Sequence, residues 1–103
     1  MNENSDLDMI SMNIIANAGS AKSLVFEALK EAKSGNLDKA EEMMKEAEEN
    51  INAVHKTQMD LLVDEANGNK KDINVLLVHA QDHFMTTLLA YDLIKEMIEI
   101  YKR

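Results

Sequence analysis

Residues 73–101 read INVLLVHAQDHFMTTLLAYDLIKEMIEIY, and their apolar positions fall on two separate helical stripes. Ile73, Leu76, Ala80, Phe84, Thr87, Tyr91, Ile94 and Ile98 recur at steps of three and four and make the first. Val75, Val78, Asp82, Met85 and Leu89, continued one step round by Leu93 and Met97, make the second. A surface helix needs one apolar face, so a helix apolar on two sides is covered on two sides. If the rest of this short chain covers one side, the other is left as an exposed patch, and such patches mark association surfaces. The segment therefore predicts a helical bundle that assembles with copies of itself, with this helix at the subunit contact.

The rest of the chain supplies two more helices. Leu7, Ile10, Ile14, Ala18, Ala21, Leu24 or Val25, Ala28 and Ala32 keep a single stripe. Ser5 can cap its start while Asp8 favours the positive helix end. Ser34-Gly35-Asn36 ends it: Gly35 can close the first helix in the left-handed conformation, and Asn36 can cap the next. Leu37, Ala40, Met44, Ala47, Ile51, Val54, Gln58 and Leu61 then carry an unbroken rhythm up to the polar stretch Asn67-Gly68-Asn69-Lys70-Lys71-Asp72, where Asp72 can cap the third helix. The expected spans are residues 6–34, 37–66 and 73–102 of one domain, 1–103. Short connections between helices of matched length give an all-α, antiparallel up-down-up three-helix bundle. Composition agrees, with no proline and only three glycines in 103 residues.

Nineteen acidic side chains against eleven basic ones leave a formal charge of -8. That balance repels nucleic-acid backbones and anionic lipid headgroups, and no apolar run is long enough to span a bilayer, so the expected location is the cytoplasm. The chain has no cysteine, so any step that needs a thiolate must draw it from another chain.

Residues 77–85, LVHAQDHFM, place two histidines and an aspartate within an otherwise apolar stretch. At about 100° per residue, with His79 at zero, Asp82 lies near about 300°, His83 near about 40° and Thr86 near about 340°. All four share one arc, whereas Gln81 points nearly the opposite way. Three readings fit the histidines. They can be core residues satisfied by local hydrogen bonds. They can chelate a transition metal, since imidazoles at i and i+4 suit zinc, although Ala80 stands where a zinc-protease helix carries its general base. Or His79 can be a nucleophile, neutral near pH 7, that accepts a phosphoryl group while His83 donates to the phosphate.

Asp82 needs a separate account because its charge would repel a phosphoryl group. On the stripe assigned to the subunit contact, copies in a symmetric ring would converge near the axis, where a hard cation with oxygen ligands could compensate them. A merely local hydrogen bond is the alternative. His55, without acids or a second histidine nearby, reads as structural or exposed, and the eight methionines as packing residues.

With those residues in view, the chain resembles the lactose/cellobiose-type enzyme IIA components of the bacterial sugar phosphotransferase system. LLVHAQDHFMTTLL (76–89) carries most of the resemblance, with NAGSAKSLVFEALKEAKSGNLDKAEEMM (17–44) and AVHKTQMDLL (53–62) in support. The resemblance implies a homotrimer of three-helix subunits, a nine-helix bundle. It implies that His79 takes a phosphoryl group from the phosphocarrier protein HPr and passes it to a cysteine of enzyme IIB, with His83 beside the site. Asp82 matches the aspartate that gathers on the three-fold axis around a metal ion, magnesium by that likeness. The transported sugar is expected to be a β-linked disaccharide of the cellobiose, chitobiose or lactose type, and association with the membrane is expected to be indirect, through the IIC permease. Phe84 stands where leucine is commoner in the family and Lys22 where arginine is frequent. A non-catalytic helical adaptor and a metal-binding regulatory bundle are the rival readings.

Overall fold

The computed structural model describes residues 3–103, with side chains from Asp6 onward. Three helices account for nearly all of them: α1 (Glu3–Lys33), α2 (Leu37–Ala66) and α3 (Val75–Tyr101), with no strand among the described residues. α1 is already formed at Glu3, before the start expected at Ser5; the Ser5 side chain lies outside the described ones.

Hydrogen bonds between helices give their directions. As α2 partners fall from Gln58 to Glu48, the α3 residues they bond rise from Gln81 to Tyr91, so these two helices run antiparallel. Asp8 meets Asn74 and the Ala18 carbonyl meets Thr87, both numbers rising, so α1 and α3 run parallel. The arrangement is the expected up-down-up bundle.

Both connections are built by a glycine that ends a helix. At the first, Gly35 takes φ +90°, its N–H reaches the Ala32 carbonyl at 3.1 Å, and the Asn36 N–H reaches Glu31 at 2.8 Å. At the second, Gly68 takes φ +92°, with Gly68 to Glu65 at 3.0 Å and Asn69 to Asp64 at 2.9 Å. Each pair of bonds satisfies carbonyls that the last helical turn leaves open, in a conformation only glycine adopts cheaply. Asn36 does begin α2, but its side chain makes no cap; its Nδ2 turns back to Glu31 Oε2 at 2.8 Å.

The core follows the stripes. Leu7, Ile14, Ala18, Ala21, Val25, Ala28 and Ala32 are buried on α1, where Val25 rather than Leu24 takes the inner position. Four of the seven are alanines, which let α1 lie close against both neighbours along its length, whereas α2 and α3 share a much shorter contact. Phe84 and Ile94 from α3 and Val54 from α2 fill the wider spaces. Among the described residues two buried hydroxyls interrupt this core: Thr87 Oγ1 donates to the Ala18 carbonyl at 3.3 Å, and Ser11 Oγ has no partner there.

The second α3 stripe lies outside. Val75 (84% exposed), Val78, Met85, Leu89, Leu93 and Met97 all face away from α1 and α2. The bundle is a rod of 51 × 21 × 18 Å with a radius of gyration of 16.0 Å. A compact chain of this length has about 13 Å. A thin rod buries little of its own surface, so the outer stripe goes uncovered within one chain.

Candidate functional site

The start of α3 positions the site. Asn74 caps it: the backbone is extended (φ −129°, ψ 172°) and Oδ1 accepts the Leu77 N–H at 2.8 Å. The same amide donates from Nδ2 to Asp8 Oδ1 at 3.1 Å, which ties the cap to α1. The capping role expected of Asp72 therefore belongs to Asn74, and α3 starts at Val75 rather than Ile73, because the α1 carboxylate holds the later residue in place.

His79 occupies the second turn after this cap and is exposed; His83, one turn on, is half-buried. Their Nε2 atoms are 3.0 Å apart, with ring centroids 4.4 Å apart and planes at 89°. A hydrogen bond across that distance requires one ring to donate an N–H and the other to offer a lone pair, and the tautomers decide which. The core reading of the histidines fails for His79, whose ring stands at the surface.

Thr86, expected on the same arc, turns its hydroxyl to the Asp82 and His83 carbonyls at 3.0 and 3.2 Å, so it serves its own helix. Asp82 is exposed on the outer stripe, and among the described residues no hydrogen bond or ion pair reaches its carboxylate. Gln81 points away from the histidines, as expected, and meets α2, where Gln58 Nε2 donates to its Oε1 at 2.7 Å. His55 is exposed. No group of three or more histidine, cysteine, aspartate or glutamate side chains among the described residues is placed to hold a metal within one chain.

A shallow apolar groove lined by Leu7, Leu61, Leu62, Ile73 and Leu77 opens beside Gln58 and Gln81. It lies on the opposite side of α3 from the histidines, with Glu65 and Lys71 also in its lining. The Asn74–Asp8 tie and the Tyr91–Glu48 clamp, in which the phenol donates to Oε2 at 2.9 Å, escape sequence reading because each joins residues far apart in the chain. Burial and the Glu48 carboxylate push the Tyr91 phenol up to about 12.

The pattern of the phosphotransferase system's lactose/cellobiose-specific IIA subunits matches residues 9–102. This chain belongs to that family. It is a IIA component, and its relatives divide by sugar. It is 44% identical to the lactose-specific EIIA component of Staphylococcus epidermidis over 95% of this chain and 94% of the relative. The crystal structure of the cellobiose-specific enzyme IIA from Bacillus anthracis superposes with a TM-score of 0.91 at 41% identity, covering 99% of this chain and 91% of that one. The IIA of the N,N'-diacetylchitobiose branch in Escherichia coli, solved in complex with HPr, gives a TM-score of 0.81 at 38% identity over 99% of this chain and 96% of its own. Likeness of similar size to three sugar classes leaves the sugar of this IIA component unassigned. Among the described residues, no helix is long and apolar enough to cross a membrane.

Proposed function

We propose that this IIA component is a phosphoryl carrier in the uptake of a β-linked disaccharide, with His79 as the group that is phosphorylated. The observation that carries the reading is the surface placement of His79 with Nε2 held 3.0 Å from Nε2 of His83, in a chain of this family. In the productive tautomer His79 keeps its proton on Nδ1 and accepts the His83 Nε2–H. The Nε2 lone pair attacks phosphorus of phospho-HPr, the new P–N bond forms as the donor's P–N bond breaks, and no proton has to leave the ring. His79 Nε2 has a single lone pair, so the His83 N–H leaves it for a phosphoryl oxygen as the donor arrives, before the new bond forms. In the second transfer a thiolate of enzyme IIB attacks the same phosphorus; the P–N bond breaks, a P–S bond forms, and His79 returns to its starting state. HPr as donor is supported by the HPr complex of the E. coli relative. Transfer takes place in the cytoplasm, and contact with the IIC permease is made through enzyme IIB.

The same reading makes the working unit a homotrimer of nine helices. The outer stripe of α3 supports it, since Val78, Met85, Leu89 and Leu93 are apolar side chains left uncovered by their own chain. Asp82 lies among them with no partner among the described residues, and three copies around an axis would present oxygen ligands of the kind a hard cation such as magnesium takes. One carboxylate per chain is too few, so the residues fit such an ion only in the assembly. The ion's contribution there would be to neutralise converging charge; the chemistry stays with the histidines.

Incubation with labelled phospho-HPr, followed by peptide mapping, is expected to place the label on His79 and to find none in His79→Gln. A non-catalytic adaptor predicts no label on either chain, and label persisting in His79→Gln would move the site elsewhere.

A further inference from the structure

We propose that His79 and His83 together form a chelating site for a divalent transition-metal ion of the zinc, nickel or copper type, distinct from any ion at Asp82. The geometry carries it. Transition ions sit about 2.0–2.1 Å from imidazole nitrogen, so two rings bound to one ion at angles between right-angled and tetrahedral have nitrogens roughly 2.9–3.4 Å apart. The two Nε2 atoms are 3.0 Å apart, held by consecutive turns of one helix. Ligation uses the Nε2 lone pair of both rings, so as the ion binds the His83 proton passes by way of solvent from Nε2 to Nδ1; each neutral ring then carries its one proton on Nδ1, with little movement of either ring.

The surroundings define the kind of site. His79 is exposed and His83 half-buried, so an ion can reach both. No third histidine, cysteine, aspartate or glutamate among the described residues is placed to complete a cage within the chain, so water fills the other positions and the ion exchanges freely. Two imidazoles favour nickel, copper and zinc over magnesium and calcium, which take oxygen ligands.

The consequence for activity rests on the carrier reading. The lone pair that binds the ion is the one that attacks phosphorus, so ion binding and phosphorylation exclude each other, and the site acts as a reversible block on phosphoryl acceptance.

Calorimetric titration of the full chain with Zn2+ or Ni2+ tests the chelate without any transfer assay. Removing either ring converts two-point into one-point ligation, so His79→Gln and His83→Gln should each weaken binding by on the order of tenfold or more. His55→Gln should leave it unchanged. Unaltered affinity in either ring variant, or loss only in His55→Gln, overturns the site. In a second arm, Zn2+ should suppress label from phospho-HPr and a chelator should restore it. Labelling that persists at saturating Zn2+ refutes the mutual exclusion. A chain that takes no label even without metal refutes the carrier reading instead and leaves the chelate as measured.

Discussion

Replacing His83 with phenylalanine keeps a ring of similar bulk on α3 while removing the group proposed to donate to a phosphoryl oxygen on His79. The expected size of the effect follows from the geometry. His83 Nε2 lies 3.0 Å from the His79 nitrogen proposed to take phosphorus, so a small ring adjustment would bring its N–H onto an oxygen of the new dianion. Hydrogen bonds to charged groups contribute about 1.5–3 kcal/mol, and the half-exposed position argues for the lower end because water competes there. About 1.4 kcal/mol is a tenfold change in an equilibrium constant. The His83→Phe variant should therefore hold roughly tenfold less phosphate at equilibrium with phospho-HPr, with helix content unchanged. Mixing known amounts of donor and acceptor and quantifying each phosphorylated form by 31P NMR measures that constant directly. A shift smaller than about twofold, in a variant that folds and assembles normally, would show that His83 gives the phosphoryl group no support.

In the proposed trimer, where three Asp82 carboxylates would converge, Asp82→Leu should leave the assembly intact or firmer, because replacing a buried ionic cluster with apolar groups is often neutral or better; dissociation on sedimentation would show that such a cluster drives association. Leu89→Lys puts a charge in the middle of the outer stripe, where burial of one leucine is worth about 1.5–3 kcal/mol, so sedimentation should find smaller species, and an unchanged molecular mass would rule this stripe out as the contact. Ser11→Ala removes a buried hydroxyl that has no partner, and chemical denaturation should show a gain of about 1 kcal/mol or more, with a loss contradicting the assignment. The Tyr91 phenol holds its proton up to about 12 when folded but releases it near the ordinary 10.0 when unfolded. Its contribution to stability is present below pH 10 and fades as pH rises from 10 towards 12; Tyr91→Phe should flatten that decline, and matched slopes in both proteins would count against the Glu48 clamp.

The helices were legible because side chains three and four apart share a face, and each of the three segments keeps that rhythm, with glycine at both breaks. The double stripe of α3 was legible for the same reason. Helix starts were less so. Asp72 and Asn74 are both competent caps, and the choice between them is made by Asp8, 66 residues away, which no local pattern reveals. Asn36 likewise spends its amide on Glu31 instead of its own helix. The histidines were found together through their spacing, but their exposure was hidden. Val78 and Met85, which make LVHAQDHFM look like core, belong to the outer stripe and are 56% and 53% exposed. Apolar neighbours there mark a face that its own chain leaves uncovered. Ser11 gave no signal, since one hydroxyl within an amphipathic run does not disclose which way it points.

The two ends of the rod are unequal. His79 lies beside the Asn67–Asn74 connection, whereas the Gly35 turn sits at the other pole, level with the last turn of α3 and about 33 Å away at 1.5 Å per residue. Lys30, Lys39 and Lys102 make their ion pairs toward that remote pole. A fluorophore or a whole reporter domain spliced in at Ser34 would thus ride on the protein without crowding an incoming donor, offering a handle for watching the transfer as it happens.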